Sequence, residues 1–463
     1  VIGLFPLVYF ALVLGLGLAF RRGVASEEGF FLARRSGSTL LLTGSLLATM
    51  FGSFGVLGVS SLASRMGLVA GWYHWVGTIG LIVLGVWALG RLKMEGAYTL
   101  PEVMGRVYGR PVRQVAALLI VFGWVSIVAA QLIAAGKILD FMGVQSGWWE
   151  AGRWQGVTIA LVGAVFVAYT CLGGQHAILR TDLLQAAMIV LALGALVVGA
   201  LAMHPGALRE ADPALLAFPF SPAMGPWQWL VLLLTFGVPF LVGPDFYSRI
   251  LSGRSVEAGR RAVLLAAAGM IPVVLLVVLG GVLGRVVLGD GLRDGELVLL
   301  ELGVATAAPL WCGLLIAALL AAVMSSADTC LLTISTLVSR DLLDPLGFRP
   351  RDEAAVVRRG RWIVLIAGGA ALAVALSLRE IVAALWNCYR LYSPSVLVPF
   401  VAMLVWPGRR FRPVAGVAAV VLGGGAAALA MGLRIEWLGR AAFALPAVPL
   451  VADLLLGRPK PRG

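Results

Sequence analysis

Apolar runs of near 20 residues, each closed by a short polar or basic stretch, recur from one end of the chain to the other. A helix rises about 1.5 Å per residue, so such a run spans a hydrocarbon layer about 30 Å thick. A soluble β-rich chain would show short alternating runs instead. The pattern predicts about thirteen transmembrane helices, near 1–20, 38–62, 69–90, 114–142, 157–174, 181–203, 227–247, 262–288, 306–337, 362–379, 381–406, 413–432 and 438–456. The first run has no basic stretch before it and Arg21–Arg22 behind it, so it reads as a retained helix rather than a secretory signal.

Composition agrees. Hydrophobic residues make up 60% of the 463 and charged residues only 13%, and the mean hydropathy is +0.97. Soluble chains carry roughly 25% charged residues. The fold class expected is an all-α polytopic membrane protein, one transmembrane domain over 1–463. Most Lys and Arg fall in alternate loops: Arg21, Arg22, Arg34 and Arg35; Arg91 to Arg113; Arg249 to Arg261; Arg340 to Arg361; and the RPKPRG tail. That side is cytoplasmic by the positive-inside rule, which puts the N-terminus outside and the C-terminus inside, in a cell inner (plasma) membrane. The net charge of +13 is then topology and headgroup contact, dispersed over short loops, and not a nucleic-acid surface. Cys171, Cys312, Cys330 and Cys388 lie within spans, no CxxC or HExxH spacing occurs, and there is no Walker A motif. No nucleophile–base or metal set is visible, so an enzyme is not expected.

Two spans carry helix breakers in matching places. The second holds FGSFGVLG (51–58) and the seventh FGVPFLVGP (236–244), about 185 residues apart, each opening a group of five spans. Broken helices free backbone amides and carbonyls, tolerated at membrane depth only where they line a cavity or hold an ion. Glycines that merely permit close helix packing are the plainer alternative.

The ninth span ends in AAVMSSADTCLLTIST (321–336). On a helix Ser325, Asp328 and Thr329 share one face, and Ser326, Thr329 and Thr333 form the adjacent stripe. Hydroxyl, carboxylate and carbonyl oxygens are the hard ligands a dehydrated alkali cation needs. Hydroxyls that back-bond to carbonyls and glue helices together are the alternative. Asp182 opens the sixth span behind Arg180, where Thr181 would cap it and the helix dipole would favour the charge. In the eleventh span Asn387, Tyr389, Arg390, Tyr392 and Ser393 lie at mid-depth. An intramembrane Arg is a candidate for holding a carboxylate through two parallel hydrogen bonds, or else pairs with a helix end or snorkels.

FFLARRS (30–36), YTLPEVMGRVYG (98–109), YTCLGG with RTDLLQ (169–185), SRILSGRS (248–255) and AAVMSSADTCLL (321–332) together resemble the sodium:solute symporter family. Members of that family carry proline, sugars, pantothenate, choline and sialic acid. The resemblance, over about 20–410, implies a LeuT-type fold of two inverted five-helix repeats. Here these are 38–203 and 227–406, with an extra helix and loop at 1–37 and two C-terminal helices at 413–456. It implies sodium as coupling ion, with no other cofactor. Sodium would be bound by the carbonyls of Ala48, Phe51 and Ala322 and the hydroxyls of Ser325 and Ser326. Asp182, Asp328 and Thr329 fall where a second ion or the coupling is handled. The solute would meet Phe54, Gly55, Tyr73, His74, Gln131, Phe236 and Phe240, with Arg390 added on the charge argument above. His74 stands where sugar carriers have a glutamate, Phe54 and Gly55 replace their polar pair, and Met50 replaces an aspartate of proline carriers.

The expected function is sodium-coupled symport of a small organic solute, carboxylate-bearing or amino-acid-like, by alternating access. The partners are that solute, sodium and the lipid bilayer, with no nucleic acid and no obligate protein partner. The alternatives are a proton-coupled carrier, with Asp182 or Asp328 taking the proton, and a transporter-like sensor. The short stretch after Gly457, with no output domain, speaks against the sensor.

Overall fold

The computed structural model describes residues 3–20, 24–92, 94, 96–292, 294–377 and 381–457, with the backbone alone for 381–387. Arg21, Arg22, Lys93 and the RPKPRG tail, which entered the sidedness argument, and the Asn387 side chain lie outside the described residues.

The described residues form helices and turns with no strand ladder. The principal helices are α1 (Leu4–Phe20), α2 (Thr39–Met50), α3 (Val59–Met66), α4 (Trp72–Val83), α5 (Arg110–Gln145), α6 (Gln155–Met203), α7 (Pro226–Leu232), α8 (Val238–Val242), α9 (Pro244–Leu251), α10 (Val256–Leu288), α11 (Pro309–Leu337), α12 (Glu353–Ser377), α13 (Ile381–Val405), α14 (Pro413–Leu433), α15 (Glu436–Ala441) and α16 (Ala447–Leu455). Nine helical stretches among the described residues are long and apolar enough to cross a membrane; α1 and α2 are shorter apolar helices.

α11 is the axis. Of its most apolar stretch 83% is buried, against 39% for α6 and α12, which therefore form outer walls facing lipid. It packs on α6, α5, α12 and α1, and α2 lies against α6, α10 and α11. Tyr9 pins α1 to this core: it donates to Met324 Sδ (3.5 Å) and accepts from Gln185 Nε2 (2.7 Å).

Both expected breaks are present. α2 stops at Met50, Phe51 turns out of helical geometry (φ −95°, ψ 39°), and the chain re-enters through a π-helical turn, Phe54–Gly58. The seventh span has a π-helical turn at Leu233–Gly237 and breaks at Gly243, which is extended (φ −64°, ψ 123°). Two expectations need correction. The fifth and sixth spans are separated by one residue, Gly174 (φ 50°, ψ −162°), not by a turn at Arg180. Thr181 therefore cannot cap a helix; it sits inside one and donates to Ala177 O and Ile178 O. The run 438–456 is not one helix but α15 and α16, joined by turns before Pro446.

Gly174 occupies backbone space that is essentially glycine-only, and a Cβ there would lie 2.8 Å from the Phe30 carbonyl. Gly174→Ala is expected to lower stability by about 1–3 kcal/mol, read as a lower melting temperature of the detergent-purified protein.

Candidate functional site

The α2 break is held open by side chains that satisfy its freed backbone. Ser325 Oγ donates to the Ala48 carbonyl (2.9 Å) and lies 2.8 Å from the Ala322 carbonyl. Ser326 Oγ donates to the Thr49 carbonyl at 2.6 Å. Beyond the break, Gln131 Oε1 accepts from the Ser53 amide at 2.7 Å. Close approach requires Gly52, where a Cβ would lie 2.3 Å from Ser326 Oγ. The seventh-span break is treated alike: Tyr247 and Tyr392 donate to the Leu241 and Val242 carbonyls at 3.2 and 2.5 Å. Buried backbone groups need such partners, since an unmet one costs several kcal/mol in a dry interior.

Ala48, Ala322, Ser325 and Ser326 are thus brought together, with Phe51 at the end of the same turn. The polar end of α11 divides into two roles. Ser325, Ser326 and Thr329 face α2, while Ser335 donates to the Gly360 carbonyl and Thr336 back-bonds to Leu332, as helix glue does.

A fully buried guanidinium lies one layer deeper. Arg249, on α9, was counted with a basic loop, but its side chain has no exposed surface. Its Nε donates to Ser45 Oγ (3.0 Å), and its Nη2 to Thr49 Oγ1 (2.8 Å) and Asp182 Oδ2 (3.2 Å) and to Thr329. Ser45 also donates to Asp182. Thr329 donates to the Ser325 carbonyl (2.6 Å) and stands 3.4 Å from Asp328 Oδ1. Asp182, Asp328 and Thr329 therefore meet around Arg249, and one cluster ties α2, α6, α9 and α11 together. Asp182 Oδ1 and Asp328 Oδ2 are buried with no hydrogen-bond partner among the described residues. Sequence reasoning missed Arg249, Ser45 and Thr49. The usable signal was Asp245 and Arg249 at i and i+4, both within the short helix that follows the second break.

The solute residues separate. A cavity of about 50 Å³ at the two breaks is lined by Phe54, Gly55, His74, Gln131, Phe236 and Phe240, with Asp245, Ser326 and Tyr389. A larger cavity of about 570 Å³ is lined by Tyr73 and Arg390 with Trp227, Glu436 and Arg440. Arg390 is exposed and does not line the smaller cavity. Between the two lie packed rings: Phe54 on Phe236 (5.2 Å), Tyr73 on Phe236 (5.7 Å) and Phe236 on Tyr389 (5.5 Å).

Removing Arg249 leaves its carboxylates buried and uncompensated. Arg249→Met is expected to cost about 3–5 kcal/mol, and adding Asp182→Asn to recover part of it; thermal unfolding of the single and double variants reads both.

The family model for the sodium:solute symporter family matches residues 30–409. The sodium/proline symporter of Haemophilus influenzae is 27% identical over 69% of this chain and 66% of its own. The sodium/pantothenate symporter of Escherichia coli is 27% identical over 97% of this chain and 93% of its own. Among solved structures, a Na+-coupled sialic acid symporter in a substrate-bound outward-open state superposes with a TM-score of 0.84 at 16% identity, covering 99% of this chain and 98% of that one. A nucleobase-cation-symport-1 family transporter in a closed conformation gives 0.63 at 12% identity, covering 94% and 96%. The fold is thus of the LeuT type, and with its family pattern matched from the first loop to the end of α13 the chain belongs to the sodium:solute symporter family.

Proposed function

We propose that this protein is a sodium-coupled secondary active symporter that imports a small organic solute, amino-acid-like or carboxylate-bearing, by alternating access. The observation that carries the reading is the convergence of the Ala48 and Ala322 carbonyls with the Ser325 and Ser326 hydroxyls at the α2 break. Sodium entering there is bound by these oxygens and the Phe51 carbonyl. The serine hydroxyls turn their lone pairs to the ion, and the ion takes over the carbonyls they had served. Because the ligands come from both α2 and α11, sodium binding favours whichever state holds the two helices together.

The solute site is the smaller cavity, with Phe54, Gly55, His74, Gln131, Phe236 and Phe240 around the solute and Tyr73 at its aromatic rim. Arg390 makes the larger cavity the vestibule by which an anionic group approaches, while Arg440 there is paired with Glu436. With the N-terminus outside and the C-terminus inside, that vestibule opens outward. Each sodium moving inward gains about 2.3 kcal/mol per 100 mV. The two inverted repeats, 38–203 and 227–406, supply the symmetry for rocking between outward- and inward-facing states. No covalent chemistry is needed.

The unpartnered oxygens of Asp182 and Asp328 favour a second reading of the coupling. Two carboxylates against one guanidinium leave a negative charge that a second cation or a proton would balance.

Sodium is expected to raise the melting temperature of the purified protein saturably, with no such rise in potassium at equal ionic strength. Ser325→Ala is expected to weaken the response tenfold or more. A wild type indifferent to sodium but stabilised by lowering pH would favour the proton reading.

A further inference from the structure

The smaller cavity has a definite electrostatic character. Asp245 brings the one carboxylate in its lining, and no Lys or Arg lines it among the described residues. Burial works against the charge of this carboxylate, and local contacts offset part of that cost. Asp245 sits in the first turn of α9, beside its own amide and that of Phe246, where the helix dipole favours negative charge. Arg249, one turn further on, acts on it through space but makes no ion pair with its carboxylate among the described residues. Its Nη2 is spent on Asp182, Thr49 and Thr329, and its Nη1 reaches the Asp245 backbone carbonyl at 3.5 Å.

The ionisable groups around the two breaks are then the buried Asp182, Asp328 and Arg249 and the half-buried Asp245, three carboxyl groups to one guanidinium. A sodium ion at Ala48 and Ser325 would balance one of the two excess negative charges. The other borders a cavity walled by Phe54, Phe236, Phe240 and Tyr389, and ring faces attract cations, most strongly where water is excluded. His74, 4% exposed, lines the same cavity. The Met50 carbonyl lies beside the ring and can serve one ring nitrogen at most, so the other has no hydrogen-bond partner among the described residues. It is a polar group still available to a bound molecule.

We propose that the solute carries a positively charged nitrogen, seated between the Asp245 carboxylate and the aromatic walls, with His74 addressing a second polar group. This rests on the symporter reading of the cavity and narrows it: the solute is an amine or quaternary ammonium compound, an amino acid included. A carboxylate without an amine is disfavoured, because it would face Asp245 with no cation in the lining.

The test is a thermal-stability titration of the full-length protein in constant sodium. The probes are ethylammonium and tetramethylammonium, their neutral shape analogues ethanol and tert-butanol, and the anion propionate. The two cations are expected to give saturable stabilisation and the neutral and anionic probes none. In Asp245→Asn the cation response is expected to weaken at least tenfold while the sodium response persists, which also reports a folded protein. The proposal is overturned if propionate or the alcohols stabilise as well as the cations. It is overturned equally if Asp245→Asn keeps the cation response, or if neither cation acts on a wild type that responds to sodium. Should Asp245→Asn fail to fold, the wild-type comparison of charge still decides. A wild type that ignores sodium but binds the cations would sink the symporter reading and leave this one standing.

Discussion

A guanidinium with no exposed surface joins four helices at the centre of this protein. Arg249 reaches Ser45 and Thr49 on α2, Asp182 on α6 and Thr329 on α11 from its own place on α9. Taking these charges out of water costs several kcal/mol each, and only a dense set of donors and acceptors offsets that. The geometry of both breaks depends on it. α9 begins immediately after Gly243, and α2 ends one residue beyond Thr49. A shift in any one of the four helices disturbs the pairing of the other three.

The same cluster bears on the proposed ion site beside it. Breaking α2 frees carbonyls that Ser325 and Ser326 serve by donating to them. Those hydroxyls can equally present lone pairs, so one set of atoms suits the helix alone and the helix with a cation. Thr329 links the levels: it meets Arg249 and donates to the Ser325 carbonyl. The proposed ion site and the charge cluster lie on consecutive turns of one helix, so binding at one would be felt at the other through a hydrogen bond.

The sequence shows these features unevenly, for physical reasons. Spans are legible because twenty apolar residues have few other uses, and the breaks because Gly and Pro cluster at matching places in two spans, although Pro272, Pro394 and Pro399 lie within continuous helices. The α11 hydroxyls stand out for their density, and the family motifs imply a role for them only by resemblance. Arg249 is hidden by its neighbours: next to Arg254, Arg260 and Arg261 it reads as one more loop cation. Only the partners around it, distant in sequence, make burial tolerable. Asp182 reads as the first turn of a helix until Gly174 proves to be the only interruption. Tyr389 and Arg390 are neighbours in sequence but about 100° apart around a helix, so one lines the smaller cavity and the other the larger. Helical rotation is what a run of apolar residues on all sides does not disclose.

The central claim is that the oxygen cluster joining α2 to α11 binds sodium. Equilibrium binding of radioactive 22Na+ to the purified protein addresses it without knowledge of the solute. The account predicts saturable binding that excess sodium displaces and potassium does not, and that Ser326→Ala, which removes an oxygen without touching Arg249, weakens severalfold or more. Absence of saturable binding to a folded wild type, or binding unchanged in both Ser325→Ala and Ser326→Ala, would contradict it.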